Sequence, residues 1–139
     1  MESTIEKNNI YFDEDLDAVV MEWNGYATSS QFREGTELML NTLVKHQRSK
    51  VLADIREMIL IGTEDQQWLQ THFIPRAIEF GFRKIAIIKP KSYFNKVAVE
   101  TVSYKIDTGK LTINFFDSPD EARLWLREDL DQTFIPFND

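Results

Sequence analysis

Residues 50–68, KVLADIREMILIGTEDQQW, contain the features from which the fold of the whole chain is predicted. The run from Val51 to Ala53 is apolar throughout, as short buried strands are. The apolar run from Met58 to Ile61 follows as a loop, after which Thr63 opens a helix. Thr63 and Gln66 have the spacing of a capping box, so we expect Thr63 to be the N-cap. A strand, a loop and a helix in this order predict part of an open α/β sheet, in which ligands and partners dock beyond the carboxyl ends of the strands.

The sequence on both sides of this stretch repeats the alternation of strands and helices. Strand-like runs occur at 9–12, 18–23, 84–88 and 111–116. Cap residues and apolar faces with helical spacing predict helices over 28–47, 63–80, 94–107 and from 118 onward. The order β-β-α-β-α-β-α-β-α predicts an α/β fold with a mixed, mainly parallel sheet covered by helices.

The helix predicted over 63–80 contains a break. One face carries an apolar stripe that should face the core, formed by Leu69, Phe73, Ala77 and Phe80. Pro75 lacks a backbone N–H and crowds the preceding turn, so we expect either a kink or two abutting helices.

The length of 139 residues is that of one domain with a single sizeable core. We therefore expect one domain over 1–139, with an N-terminal extension over about 1–8 and a C-terminal tail over about 130–139. No apolar run approaches the roughly 20 residues of a transmembrane helix. The first residues lack the apolar core of a signal peptide, and the absence of cysteine fits a reducing compartment, so a cytoplasmic location is expected.

The composition excludes several classes of function. The net charge is −7 and no block of Lys and Arg occurs, so nucleic acid is not expected as a partner. Without cysteine there is no thiolate metal site or cysteine nucleophile. His46 and His72 lie on different predicted helices, outside any catalytic signature, and the glycines form no phosphate loop. These observations predict a protein that is not an enzyme and that uses no cofactor or metal.

Several segments resemble one family of bacterial proteins. They are Trp23-Asn24-Gly25-Tyr26, Leu52-Ala53-Asp54-Ile55-Arg56, Glu64-Asp65-Gln66-Gln67-Trp68, Pro75-Arg76-Ala77 and Gly81-Phe82-Arg83-Lys84-Ile85-Ala86. Together with the element order, they resemble the STAS domain of anti-sigma-factor antagonists, and in particular its small STAS-like, SEC14-related members. The resemblance implies the STAS-like fold and a regulatory, protein-binding role.

The resemblance also points to a phosphorylation site. STAS antagonists are switched by phosphorylation of a hydroxyl in an Asp-Ser-Ser/Thr-Gly-like motif at the start of the second helix. The corresponding residues here are Ile61-Gly62-Thr63-Glu64-Asp65, which lack the preceding aspartate and the following glycine. A switch of this kind would therefore depend on Thr63 alone, and the alternative is that Thr63 serves only as a helix cap.

The loop before the second helix is the predicted binding surface. Consecutive apolar residues in a surface connection usually mark an interface, unless the run folds back onto the core. We expect the protein to bind a partner or itself here, through Met58, Ile59, Leu60, Ile61, Thr63 and Trp68. Tyr26 could extend the patch.

A second hypothesis is a pocket for a small apolar or lipid-like ligand, as the SEC14 relationship implies. Its lining would include the aromatic residues Phe73, Phe80, Tyr93 and Phe94, which could equally be ordinary core residues. Asp54 and Arg56 lie two apart at the end of a strand and point to the same side. They could therefore pair with each other or anchor a polar ligand.

Overall fold

A five-stranded sheet with helices on both faces forms the fold. The computed structural model describes residues 8–59, 62–91, 93–107 and 109–132. The strands are β1 (Asn8–Asp13), β2 (Ala18–Gly25), β3 (Lys50–Met58), β4 (Lys84–Ile88) and β5 (Thr112–Phe116). The helices are α1 (Ser29–His46), α2 (Thr63–Trp68), α3 (Ile74–Glu79), α4 (Tyr93–Tyr104) and α5 (Pro119–Gln132). A π-helical turn, Leu69–Phe73, joins α2 to α3.

The sheet has the mixed, mainly parallel arrangement predicted from the sequence. Its strand order is β1-β2-β3-β4-β5. The β1–β2 pair is antiparallel, and the other three pairs are parallel. The predicted α/β class and element order are confirmed. Because consecutive parallel strands are neighbours, right-handed crossovers place α1, α2–α3 and α4 on one face, and α5 covers the other.

The side chains of each strand alternate between these two faces. Val19 and Trp23 of β2 belong to the larger core, which lies under the helices α1 to α4. Val20, between them, belongs to the smaller core under α5. This alternation follows from the two-residue period of a strand, and it explains the uninterrupted apolar runs Ala18–Met21, Val51–Ala53 and Ile85–Ile88.

Gly35 allows α1 to lie directly against β2. A Cβ atom at this position would lie 2.8 Å from Cη2 and Cζ2 of Trp23, and 2.6 Å from Nδ2 of Asn8. Trp23 is only 1% exposed, so a Cβ atom at position 35 would have to displace a buried indole. A glycine is therefore required here by the close approach of the helix to the indole.

The two predicted capping boxes have different outcomes. Thr28 is the N-cap of α1, and its capping box is complete: its Oγ1 accepts from Gln31 N–H at 3.1 Å. The prediction for Thr63 was wrong, because Gly62 is the N-cap of α2 and no side chain caps that helix. Gly62 has the extended backbone of an N-cap, with φ −72° and ψ 164°, so Thr63 is already the first helical residue.

The predicted break in the second helical segment is confirmed. The π-helical turn ends at Phe73, and α3 then begins one residue before Pro75. The wider turn accommodates a proline that cannot donate a hydrogen bond. The prediction that Phe80 faces the core was wrong, since its side chain is 59% exposed. Phe80 follows the last residue of α3, so the helical period that placed it on the core face no longer applies.

Both chain ends lie mostly outside the described residues. The predicted extension over 1–8 is described only from Asn8, where β1 begins. The predicted tail over 130–139 is described only to Gln132, where α5 ends. None of the described helices combines the length and the apolar character that crossing a membrane requires.

Candidate functional site

The loops that follow β2 and β3 meet at the carboxyl edge of the sheet. The backbone N–H of Ile59 donates to the carbonyl of Gly25 at 3.1 Å, which places the two loops side by side. Ile59 is 56% exposed and Tyr26 is 50% exposed. These two residues form an exposed apolar surface, which we call the edge patch.

Met58 was predicted as part of the surface loop, and this placement was wrong. It is the last residue of β3 and is buried in the larger core. Between the pairs Glu22↔Asp54 and Asn24↔Glu57, β3 contains one more residue than β2. This bulge reverses the face to which later residues point and turns the Met58 side chain toward the helices. Leu60 and Ile61, the other predicted members of the run, lie outside the described residues.

Trp68 joins the helices to one another. Its ring is half-buried and lies 5.3 Å from the ring of Phe73 and 6.4 Å, edge-on, from that of Phe32. The guanidinium of Arg33 stacks over it at 5.1 Å from the ring centroid. The indole therefore borders the edge of the sheet but contributes mainly to packing between the helices.

A buried carboxylate fixes the start of α2 against the start of α1. Asp65 is 6% exposed and accepts hydrogen bonds from Ser29 Oγ and Arg33 Nε, both at 2.9 Å. The sequence pattern indicates for Asp65 only a negative charge suited to the first turn of a helix. Its partners lie more than thirty residues away, and no local pattern indicates them.

Thr63 lies at the exposed end of α2. Its side chain makes no hydrogen bond with any residue that the structure describes, and Glu64 and Asp65 follow it in the first turn. The hydroxyl is therefore accessible and does not serve the capping role that was the alternative explanation.

The charged pair at the end of β3 forms the predicted ion pair. Arg56 donates from Nε to Asp54 Oδ1 at 3.0 Å and from Nη2 to Asp54 Oδ2 at 2.7 Å. This two-point contact raises the pKa of Arg56 above its usual value, although burial opposes the charge. Arg56 is therefore charged at any physiological pH, and its orientation is fixed by the carboxylate.

An apolar cavity of about 120 Å³ lies between the sheet and the helices of the larger face. Met58 and Phe73 line it, as do Trp23, Phe32 and Met39. Phe80, predicted to line a pocket with Phe73, does not take part, because it is exposed beyond the end of α3. The side chains of Tyr93 and Phe94 lie outside the described residues.

The described residues contain no arrangement typical of catalysis. His46 stacks on Phe12 at 4.1 Å between ring centroids. His72 Nδ1 lies 2.7 Å from Thr71 Oγ1, and that hydroxyl also lies 2.8 Å from the Gln67 carbonyl. No group of three His, Asp or Glu side chains in the described part of the chain could hold a metal ion.

The sequence matches the SpoIIAA-like family over residues 18–127, which is well over half of the chain. The chain belongs to the SpoIIAA-like family. The STAS-like resemblance of its sequence segments is thereby confirmed. Proteins with the SpoIIAA-like fold often serve as regulatory or interaction modules and are typically not enzymes. The search of the curated proteins found no match.

A solved structure supports the same fold. The chain is similar to an uncharacterised protein of the DUF3478 family with a SpoIIAA-like fold from Shewanella loihica PV-4. The TM-score is 0.56 at 20% sequence identity, and the alignment covers 86% of this chain and 91% of that chain. At this identity the likeness shows the fold alone.

The sequence patterns do not indicate a group of basic residues that lie together just after β4. The sequence pattern marks Lys89 and Lys91 only as residues that end a strand, and it gives no role to Lys96. All three line one cleft with Arg56. The signal that could have found them is their position just after a parallel strand, where open α/β sheets bind ligands.

Proposed function

We propose that this SpoIIAA-like protein is a non-enzymatic regulatory module that binds a partner protein through the edge patch and the start of α2. The observation that carries the proposal is the pair of exposed apolar side chains, Tyr26 and Ile59, on adjacent loops. Side chains of this size are costly to expose together, and such patches commonly serve as interfaces.

The support beneath this patch suits an interface. The bond between Ile59 and Gly25 holds the two loops together, and Asp65 fixes the start of α2 through Ser29 and Arg33. A surface held by buried contacts loses little conformational entropy when a partner docks. The predicted contact residues Leu60 and Ile61 adjoin it in sequence.

The charge of the chain favours a partner protein over a second copy. The net charge is −7, so two copies repel each other at low ionic strength. Glu64 is exposed just after the loop, and Glu57, exposed just before it, pairs with Lys91 at 2.6 Å. We therefore expect the partner to present an apolar contact surface with Lys or Arg at its rim.

Thr63 is the proposed point of regulation. Its hydroxyl is exposed at the first residue of α2, close to the loop that forms the interface. A phosphate there would add up to two negative charges next to Glu64 and Asp65, and this would change the affinity for a basic partner rather than the fold.

The test uses the variant Tyr26→Glu/Ile59→Glu. The protein and its variant are each cross-linked in their own host, purified, and analysed by mass spectrometry and light scattering. We expect one defined complex with the unchanged protein and at least a tenfold lower yield with the variant, because two charges would be buried in an apolar contact. Circular dichroism should show the same fold for both proteins.

A matched control is Tyr104→Glu/Leu124→Glu, which places two charges at exposed apolar residues elsewhere, 87% and 55% exposed. It should retain the complex. Equal loss of the complex in both variants, or an unchanged complex with the edge-patch variant, would contradict the proposal. A complex that consists of two copies of this chain would overturn the choice of partner.

The second candidate function is the binding of a small apolar ligand in the cavity. Its lining is almost wholly apolar, which favours a dry cavity over a water-filled one. At about 120 Å³ it matches a molecule near the size of benzene, which occupies engineered cavities of about 150 Å³. A lipid chain would require the helices to move apart.

Benzene itself tests this second candidate. In methyl-resolved NMR spectra, saturation with benzene should shift the methyl signals of Met21 and Met39, which line the cavity. The methyl signals of Leu126, in the core on the other face, provide the internal control. Unchanged Met signals would exclude the cavity as a ligand site.

A further inference from the structure

The strands β4 and β5 lead into helices on opposite faces of the sheet. Ala98 and Val102 of α4 belong to the larger core, whereas Ala122 and Leu126 of α5 belong to the smaller one. The loops after two such strands diverge and leave a crevice at their carboxyl ends, which is where open α/β sheets bind ligands. This position is distinct from the edge patch, which lies beyond β2 and β3.

The crevice is lined mainly by cations. A cleft of about 270 Å³ is formed by Arg56, Lys89, Pro90, Lys91, Lys96 and Asp117. Four of the 16 Lys and Arg residues of this acidic chain are thus gathered at one place. Three of these cations pair with carboxylates, those of Asp54, Glu57 and Asp117, whereas Lys96 has no ion-pair partner among the described residues.

The floor of the cleft is held by the sheet. The N–H of Lys89 donates to the carbonyl of Phe116 at 2.9 Å, and the N–H of Lys91 donates to that of Arg56 at 3.2 Å. Pro90, between them, is buried. The loop is therefore attached to β5 on one side and to β3 on the other, and the positions of its lysines are preorganised.

The cations are incompletely neutralised. Lys89 pairs with Asp117 at 2.9 Å and Lys91 with Glu57 at 2.6 Å, but these carboxylates are 81% and 55% exposed. Exposed ion pairs contribute little free energy, so a better anion can replace them. Lys96 is exposed and has no ion-pair or hydrogen-bond partner among the residues that the structure describes.

Arg56 completes the arrangement. Asp54 accepts from its Nε and Nη2, and within the described part of the chain its Nη1 has no hydrogen-bond partner. The guanidinium is thus oriented by one carboxylate while part of its donor set stays available. Lys96 lies in the first turn of the 12-residue helix α4, where the helix dipole also favours an anion.

We propose that this cleft binds the phosphate group of a small organic molecule. The volume, the divergent loops and the four gathered cations fit a phosphate ester better than a neutral ligand. The phosphate would contact Lys96 and Arg56 and displace the exposed carboxylates of Asp117 and Glu57 from the lysines. The site does not depend on the proposed partner surface, and each can fail without the other.

The test is a titration with inorganic pyrophosphate at low ionic strength, followed by amide NMR spectra and calorimetry. Amide signals of Lys89, Lys91, Lys96 and Asp117 should shift together and saturate. Lys91→Gln/Lys96→Gln should weaken binding by about a hundredfold, since removal of each charge-assisted hydrogen bond costs about tenfold. Lys105→Gln/Lys110→Gln, the matched control, changes the net charge equally at exposed lysines near the other end of α4 and should bind as the unchanged protein does.

The source of the phosphate is decided by two further titrations, with glycerol 3-phosphate and with phosphatidylglycerol vesicles. Binding of the soluble ester assigns the site to a free metabolite. Binding of the vesicles alone, abolished in the Lys91→Gln/Lys96→Gln variant, assigns it to a lipid headgroup. Equal weakening of pyrophosphate binding by the control variant, or no shift of the cleft signals with any of these anions, would overturn the proposal.

Discussion

The two faces of the sheet differ in what they bury. The face under α1, α2–α3 and α4 packs large aromatic side chains around a cavity, among them Trp23 and Phe73. The face under α5 packs a smaller core that contains three fully buried alanines, Ala18, Ala86 and Ala122. Small side chains let a single helix lie close to the strands, whereas larger ones separate the helices from the sheet.

The difference in helix coverage determines which face of the sheet exposes polar side chains. One helix covers only part of five strands, so the remainder of its face meets water. There Asn9 and Tyr11 donate to the carboxylate of Glu22, at 3.0 Å and 3.5 Å. Asp54 and Arg56 continue this polar surface toward the basic cleft. The better-covered face thus supplies most of the core, and the open one exposes polar and charged side chains of the strands.

The largest effect should come from truncating Trp23 on the larger face. Trp23→Ala should lower the free energy of unfolding by about 3–5 kcal/mol, since it enlarges an existing cavity. Urea denaturation measures the change. Trp23→Phe, which keeps a ring against Phe32 and removes an indole N–H without a described partner, should cost less. If Trp23→Ala and Trp23→Phe lost equal stability, the volume of the ring would not be the cause of the loss.

On the smaller face, Leu126→Ala should lower the free energy of unfolding by about 2–5 kcal/mol, because this side chain of α5 is fully buried against the sheet. Leu124→Ala is the control, since Leu124 is 55% exposed on the same helix and should change stability by less than about 0.5 kcal/mol. Chemical denaturation of both variants measures the difference. If the Leu126→Ala protein were as stable as the Leu124→Ala control, the side chains of α5 would not contribute to the hydrophobic core.

A smaller loss of stability is expected from removing the contact that attaches α5 to the end of β1. Asp13 accepts from Arg123 Nη2 at 2.7 Å and from Leu16 N–H at 3.0 Å. Burial opposes its ionisation, but the hydrogen bonds outweigh burial and lower the pKa of Asp13. Asp13→Asn should lower the free energy of unfolding by about 1 kcal/mol at neutral pH, where the carboxylate is charged.

The pH dependence of this variant follows from the direction of the shift. A carboxyl whose pKa is lower in the folded protein stabilises it above the unfolded pKa, and this stabilisation is lost as the pH falls through the folded pKa. The difference between the unchanged protein and Asp13→Asn should therefore vanish in acid. Glu14→Gln, an exposed neighbour, should show no difference at either pH, and a pH-independent cost of Asp13→Asn would refute the explanation.

Most of the elements could be predicted because their signals are local. The capping box at Thr28 and the break near Pro75 each depend on a few neighbouring residues, and both are present. The errors arose where a position depended on structure further away. Thr63 does not cap α2 because the extended backbone of Gly62 already begins the helix. Phe80 lies outside the core because α3 ends before it.

The candidate sites were only partly predictable. The pair of Asp54 and Arg56 and the exposure of Ile59 follow from their place at a strand end. The burial of Met58 could not be predicted from its place at a strand end, since it results from a bulge that appears only when β3 is aligned with β2. The contact of Asp65 with Ser29 and Arg33 could not be predicted either, because it joins the beginnings of two helices.

The sequence by itself determined the α/β class and the order of elements, because periodicity, capping and turn residues act over a few positions. Membership of the STAS-like group came from the resemblance of particular segments. Only the tertiary structure decided which side chains share a surface. The divergence of α4 and α5 to opposite faces brings Arg56, Lys89 and Lys96 to one cleft, although they lie on separate segments. Such a juxtaposition depends on strand order and on the direction of each crossover, neither of which is encoded in the spacing of the residues themselves.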